Sequence, residues 1–211
     1  MKKIKINKKT IKEKSSQWLR RHLNDEYYIK AKKKGFRSRS AYKLIQIHEK
    51  YNLFGSVLNV IDLGAAPGGW CQVVSQMCED KVNILGVDKI KIEPIDGVNF
   101  IQGDLLEEKT FNNILKFFPK KVDILLSDMA PNTTGHEKTD HIRIVYLAEI
   151  ALEMSKQILK KNGFFICKIF QGGAQGELLN DMKKNLVNIK YFKPKASRNQ
   201  SSETYIIARK R

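Results

Sequence analysis

Lys168 interrupts an otherwise apolar run, Phe164-Phe165-Ile166-Cys167-Lys168-Ile169-Phe170, and Asp128 closes another, Leu125-Leu126-Ser127-Asp128. An ammonium group in a buried strand is costly unless it is paired or put to use. If the two runs are neighbouring strands, Lys168 can approach Asp128, as a stabilising ion pair or as acid–base machinery. A third run is more explicit. Residues 60 to 70 read Val-Ile-Asp-Leu-Gly-Ala-Ala-Pro-Gly-Gly-Trp, an apolar strand entering a glycine-rich turn that opens a helix. At the carboxyl end of a parallel strand this is the form of a nucleotide-type cofactor site. Gly64, Gly68 and Gly69 let the backbone approach a ligand, and the free N–H groups of the helix face it. A dinucleotide fingerprint requires Gly-x-Gly-x-x-Gly with a pyrophosphate at the helix N-terminus. Here the third position is Ala66, and Pro67 precedes the glycine pair. Asp62, just before the turn, brings a carboxylate that suits a cationic cofactor better than an anionic one. Both points favour S-adenosylmethionine, with its positive sulfonium and amino groups, over a nicotinamide dinucleotide.

Two further aspartates fall at predicted strand ends. Asp88 closes the next strand, where an acid in doubly wound folds binds the ribose hydroxyls of the cofactor. Asp104, in Gln102-Gly103-Asp104 after the third strand, is placed either to accept from an adenine amino group or to cap the helix that follows. Metal chemistry is not indicated: the four histidines form no ligand-spaced set, although His136 and His141 share a loop with Asp140. Cys71 and Cys78 lie on one helix about 10 Å apart by helical rise, too far to bridge. With Cys167 in a strand run, all three read as reduced packing residues of an intracellular protein.

The elements that must hold these groups alternate. Helices are predicted over 25–34 and 38–51, the second with Ser38 or Ser40 as its cap. Then follow strand 57–63, helix 68–79, strand 82–87, strand 98–102, helix 107–118, strand 122–127, helix 139–161, strand 163–170 and helix 175–185. Strands 186–192 and 203–208 end the series with no room for a helix between them. This pattern predicts an α/β, Rossmann-like fold: a mostly parallel seven-stranded sheet with one antiparallel strand and helices on both faces. The expected organisation is a basic extension over 1–24 and one domain over 25–211.

The chain has 211 residues and a formal net charge of +17, unevenly spread. Residues 1–43 carry 16 Lys/Arg against 3 Asp/Glu, residues 44–189 carry 16 against 18, and residues 190–211 carry 7 against 1. Basic ends on a near-neutral middle are the electrostatic footprint of a face that binds a polyanion. No run reaches the length of a membrane span. The N-terminus is basic and acid-poor, as transit peptides are, though lysine-rich and not arginine-rich.

Four segments resemble the FtsJ/RrmJ family of RNA 2′-O-ribose methyltransferases: Ser38-Arg39-Ser40-Ala41-Tyr42-Lys43-Leu44, the Asp-Leu-Gly-Ala-Ala-Pro-Gly-Gly-Trp turn, Ser127-Asp128-Met129-Ala130-Pro131-Asn132, and Ser201-Ser202-Glu203-Thr204-Tyr205. The resemblance extends from Trp18 to Lys210. It implies a class I methyltransferase fold and a catalytic tetrad of Lys43, Asp128, Lys168 and Glu203. It also implies cofactor contacts at Gly68, Trp70, Asp88, Asp104 and Asp128, with S-adenosylhomocysteine as product. In that chemistry a ribose hydroxyl attacks the sulfonium methyl in line, so positioning is a large part of catalysis. A lysine acts as base only if its pKa falls from about 10.4 toward neutrality. Partial burial and the neighbouring Lys43 push Lys168 that way, whereas Asp128 and Glu203 oppose it and balance charge. Lys168 is therefore expected as base or hydroxyl-positioning group and Lys43 as substrate holder, with the identity of the neutral lysine open.

A 2′-hydroxyl acceptor makes the partner RNA and excludes DNA. Arg37, Arg39, Lys193, Lys195 and Arg198 are the candidate phosphate contacts, giving salt-dependent affinity with little base specificity. The segments 17–25 and 196–203 resemble the mitochondrial ribosomal branch of the family, implying a uridine of large-subunit ribosomal RNA, or the ribosomal subunit, as substrate. On that likeness the expected address is mitochondrial, with cytoplasm or nucleolus as alternatives, and the expected state is a monomer. A transfer-RNA anticodon-loop methyltransferase is the second reading within the family. A non-catalytic ribosome-assembly factor is the reading from another class, and loss of a tetrad residue would mark it; none is lost.

Overall fold

Strands with an apolar residue at nearly every position need cover on both faces, and the chain supplies it. The structure, a computed structural model, describes residues 24–78, 82–131, 134–173 and 176–211. Apart from Asn24, the expected basic extension lies outside the described residues. In chain order the elements are α1 (Glu26–Lys33), α2 (Ala41–Tyr51), β1 (Asn59–Leu63), α3 (Gly69–Cys78), β2 (Asn83–Asp88), β3 (Val98–Gln102), α4 (Glu108–Phe117), β4 (Val122–Ser127), α5 (Glu137–Ile158), β5 (Leu159–Phe170), α6 (Gly176–Asn185), β6 (Leu186–Phe192) and β7 (Glu203–Lys210). All six residues of β4 are buried, as the central strand of a covered sheet requires.

The seven strands run in the order β3-β2-β1-β4-β5-β7-β6. β1 to β5 pair in parallel, and β7 is antiparallel to both of its neighbours. The sheet therefore has the predicted architecture. The chain leaves β1 toward β2 on one side, and β4 returns to β1's other side, so a crevice opens at the carboxyl ends of β1 and β4. The reversed strand has a direct consequence for that edge. Because β7 runs against β5, Phe170 pairs with Glu203 and Lys168 with Tyr205, which sets the start of β7 beside the end of β5. A parallel last strand would carry the same residues to the opposite edge.

Two apolar layers sandwich the sheet. On one side α4, α5 and α6 bury Ile114, Ala148, Leu152 and Met182 against Ile61, Leu63, Leu125 and Phe165. On the other, α2 and α3 bury Leu44, Ile47, Val73 and Val74 against Val60, Ile124, Leu126 and Ile166. Alternation along each strand assigns these residues to opposite faces.

Two local expectations are corrected. Ser40 occupies the N-cap position of α2, but its side chain makes no capping hydrogen bond: its hydroxyl lies 2.6 Å from that of Ser38 and bonds it, and the helix begins at Ala41. The long helix stops at Ile158, three residues early, because Leu159 pairs with Val122 and already belongs to β5. The chain then bulges through Asn162, whose φ is 62°, before pairing resumes at Phe164 with Ile124.

Asp123 fastens the entry to β1 onto β4. Its carboxylate accepts from the backbone N–H groups of Leu58 at 2.9 Å and Asn59 at 2.8 Å, and it pairs with Lys160. Burial raises its pKa, but Lys160 and the two N–H donors more than offset that and hold it below the usual carboxylate value. Asp123→Ala strips two part-buried donors of a charged acceptor and is expected to cost about 1–3 kcal/mol, read from chemical denaturation at neutral pH.

Candidate active site

At the carboxyl end of β1 the backbone turns through Gly64, with φ of 76°, and Gly68, with φ of 105°. Both values lie where residues with a Cβ are strained. The N–H groups of Gly64 and Ala65 return to the carbonyl of Val87, and that of Ala66 donates to Asp88 Oδ2 at 2.9 Å. Asp88 Oδ1 accepts from Ile90 N–H at 2.8 Å. Asp88 thus stitches the turn to the end of β2 through one lone pair on each oxygen, and each oxygen keeps a second for a ligand.

The glycines have a reason within the protein as well as toward a ligand. A Cβ on Gly69 would sit 2.3 Å from Ser38 Oγ, one on Gly68 2.6 Å from the Ile95 side chain, and one on Gly64 2.5 Å from the Met129 side chain. The turn is thus wedged between the segment leading into α2 and the residue following Asp128. Arg37 completes the wedge, donating to the carbonyls of Pro67, Glu93 and Pro94. Trp70, the second residue of α3, is 2 % exposed; its indole N–H donates to the Ser40 carbonyl at 2.9 Å, tying α3 to the start of α2.

That tie sets Lys43 beside the sheet edge. Its Nζ is 2.6 Å from Glu203 Oε1 and 3.9 Å from Asp128 Oδ1. Lys168, only 5 % exposed, donates to the same Asp128 Oδ1 at 2.9 Å and to the Asp128 main-chain carbonyl at 2.5 Å. The four residues implied by the family resemblance therefore form one continuous cluster, contributed by α2, the end of β4, β5 and the start of β7.

Two members of this cluster escaped the reading of the sequence. Tyr205, fully buried, donates its hydroxyl to Asp128 Oδ1 at 2.6 Å, lies 3.2 Å from Glu203 Oε1 and packs its ring against Trp70. Ser197 Oγ donates to Glu203 Oε1 at 2.9 Å. A signal for Tyr205 was present: on a strand it shares the face of Glu203, two residues before it. Ser197 lies in an irregular loop with no period to read.

Burial would raise the Asp128 carboxyl, but the ammonium groups of Lys168 and Lys43 and the Tyr205 hydroxyl outweigh it, so the group stays ionised below its ordinary value. Tyr205 is pushed well up, by burial and then by the two carboxylates it faces. Asp62 behaves differently. It is buried beneath the turn, accepts from Cys71 Sγ at 3.2 Å, and leaves Oδ1 with no hydrogen-bond partner. Burial raises its pKa to about 7 despite the Cys71 contact, and the nearby carboxylates of Asp128 and Asp88 add to the rise. An orphaned carboxylate oxygen under the glycine turn fits a cationic cofactor such as S-adenosylmethionine.

The remaining expected residues are distributed as follows. Asp104 caps the turn after β3 through Leu106 N–H and pairs with Lys89 at 2.7 Å. Arg37 and Arg39, expected on phosphates, also bond within the protein: Arg39 pairs with Asp25 at 3.1 Å and donates to the Ala196 carbonyl. Lys193 bonds the Ser201 carbonyl at 2.7 Å. Lys195 and Arg198 are exposed on the same loop, which follows β6 and carries Ser197 to the cluster. Among the described residues no group of three or more His, Cys, Asp or Glu could hold a metal ion. The three cysteines are free.

Comparison with known proteins gives the family. Residues 36–211 match the model of the family described as FtsJ-like methyltransferase. The ribosomal RNA large subunit methyltransferase E of Rickettsia akari is 51 % identical over 199 residues, covering 92 % of this chain and 88 % of its own length. Its counterpart in Rickettsia felis is 50 % identical over the same span. The crystal structure of a ribosomal RNA methyltransferase from Plasmodium falciparum superposes with a TM-score of 0.74 at 31 % identity, covering 83 % of this chain and 98 % of that one.

Asp62 yields a pH signature. A carboxyl raised in the folded state from 3.8 to about 7 binds its proton more tightly there than when unfolded. Its contribution is therefore fully present below about pH 4 and is lost as pH rises toward 7. Comparing cofactor-free wild type with Asp62→Asn, the wild type is expected to lose about 2–3 kcal/mol more between pH 5 and 7, measured by denaturant titration at each pH. Parallel curves would show that Asp62 is ionised throughout.

Proposed function

Because the chain belongs to the FtsJ-like methyltransferase family, we propose that it transfers the methyl group of S-adenosylmethionine to a ribose 2′-hydroxyl of large-subunit ribosomal RNA, at a uridine. The observation that carries this is the convergence of Lys43, Asp128, Lys168 and Glu203 at the sheet edge beside the glycine turn. The names of the Rickettsia relatives support the substrate class.

When bound, the cofactor supplies an electrophilic methyl on a sulfonium. Asp62, Asp88, Asp104, Asp128, Trp70 and the turn around Gly64, Gly68 and Gly69 would hold it. The protein's remaining task is to present the hydroxyl and take its proton. Lys168 makes two hydrogen bonds to Asp128, one to Oδ1 and one to the main-chain carbonyl. A neutral amine has two hydrogens and a lone pair. With both hydrogens committed to Asp128, the lone pair is left for the hydroxyl proton, so the same contacts that hold the side chain also aim it. Lys43, held on Glu203, places a positive charge next to Asp128. Its remaining N–H groups are available to a ribose or phosphate oxygen. Tyr205 and Ser197 fix the oxygens on which both lysines rest.

The exposed Lys195 and Arg198 lie on the loop that carries Ser197, so a backbone phosphate held there would be adjacent to the cluster.

The test is methyl transfer from labelled S-adenosylmethionine to large ribosomal subunits, protein-free ribosomal RNA and total transfer RNA, with the modified nucleotide mapped. A ribose methyl on a large-subunit uridine is expected. Lys168→Ala is expected to lower the rate 10²- to 10⁴-fold, the range of a positioned acid–base group, with cofactor affinity unchanged by calorimetry. Label on transfer RNA alone would reassign the substrate, and cofactor binding without label on any RNA would favour the assembly-factor reading.

A further inference from the structure

On the sheet face opposite α2 and α3, a groove of about 660 Å³ runs between α4, α5 and α6. Its charge is unlike that of the chain. Glu149, Glu153, Glu177 and Asp181 line it, on a protein whose formal net charge is +17. Lys156 neutralises part of this, pairing with Glu153 and with Asp181 at 2.7 Å. Glu149 and Glu177 have no ion pair among the described residues.

Apolar side chains share the same surface. Leu106 and Tyr146 line the groove and are 56 % and 49 % exposed. Leu115 and Ile142, each one helical turn from a lining residue, are 40 % and 69 % exposed. Two of the eight large apolar residues exposed among the described residues therefore line this one feature, and two more lie a helical turn from its lining. Contiguous exposed apolar surface rimmed by charge marks an interaction site.

The sign of the charge selects the partner. Carboxylates facing the groove repel phosphates, which excludes RNA from the surface. No metal-ligating group of three forms there among the described residues. What complements apolar contacts ringed by carboxylates is a polypeptide segment with lysine or arginine beside apolar side chains. Resting on the large-subunit reading above, we propose that the groove docks such a segment, presented by a protein already bound to the RNA substrate. Proteins that coat RNA must carry a cationic excess to hold phosphates, so an assembled subunit offers these segments and protein-free RNA does not.

The experiment measures equilibrium binding to large ribosomal subunits and to protein-free large-subunit RNA at one salt concentration. It compares wild type, the double variant Glu149→Lys with Glu177→Lys, and Tyr146→Ser. Methyl transfer to protein-free RNA is measured in the same set and reports separately on the enzymatic reading. The double variant is expected to lose at least tenfold in affinity for subunits and to keep or gain affinity for protein-free RNA, since it adds positive charge. Tyr146→Ser, which leaves the charge unchanged, is expected to lose several-fold for subunits only. Equal changes on both substrates, no change on subunits, or wild-type affinity no higher for subunits than for protein-free RNA would each overturn the docking role. Absence of methyl transfer by wild type to any large-subunit substrate would instead overturn the reading on which it rests.

Discussion

Four charges of alternating sign share a space nearly closed to water, and the rest of the structure is arranged around keeping them there. Asp128 Oδ1 accepts from Lys168 and Tyr205 and lies within 3.9 Å of Lys43, which itself rests on Glu203. Burying an ion is expensive, and removing one partner of a buried pair leaves an uncompensated charge. Two ammonium groups against two carboxylates give formal neutrality, so the set is tolerable only as a whole. That requirement explains features that otherwise look unrelated. β7 must run backward to deliver Glu203 and Tyr205 to the carboxyl edge, and α2 must be bolted to α3 through Trp70 to deliver Lys43.

The same arrangement makes the electrostatics and the chemistry one problem. The hydrogen bonds that anchor Lys168 on Asp128 also fix where its amino group points, and Lys43 helps to neutralise the same carboxylate. Catalytic groups with perturbed proton affinity commonly sit where burial and opposed charges meet. Asp62, buried with an unpartnered oxygen, extends this pattern under the glycine turn.

β4 is legible because a buried parallel strand is a nearly unbroken apolar run, and β3 and β6, the largely unburied edge strands, also have the boundaries that their residues suggest. The join of α5 to β5 is not, since Leu159 suits either element and its pairing with Val122 decides. In the site, Asp128, Lys168 and the glycine turn stand out locally as charges or glycines where apolar residues belong. Lys43 and Glu203 do not: each is an ordinary surface-type residue in its own segment, and only family resemblance assigned them. The internal partners of Arg37 and Arg39 are hidden for a related reason. Composition places the two arginines in a basic region, but the acceptors that occupy them belong to distant segments. The glycines likewise answer to side chains from elsewhere in the fold, Ser38, Ile95 and Met129, which no local pattern reveals.

The placement of β7 also bears on the order in which the protein is born. Lys43 leaves the ribosome early, Asp128 and Lys168 later, and Glu203 after all of them, yet β7 does not add to the outside of the sheet: it enters between β5 and β6. Until it does, β5 has an open edge, and Lys43 and Lys168 face each other across Asp128 without the second carboxylate. A nascent chain that has emerged only as far as β6 therefore holds a cofactor turn and two like charges but no balanced site. Closing the sheet and completing the set of four charges thus depend on the same strand.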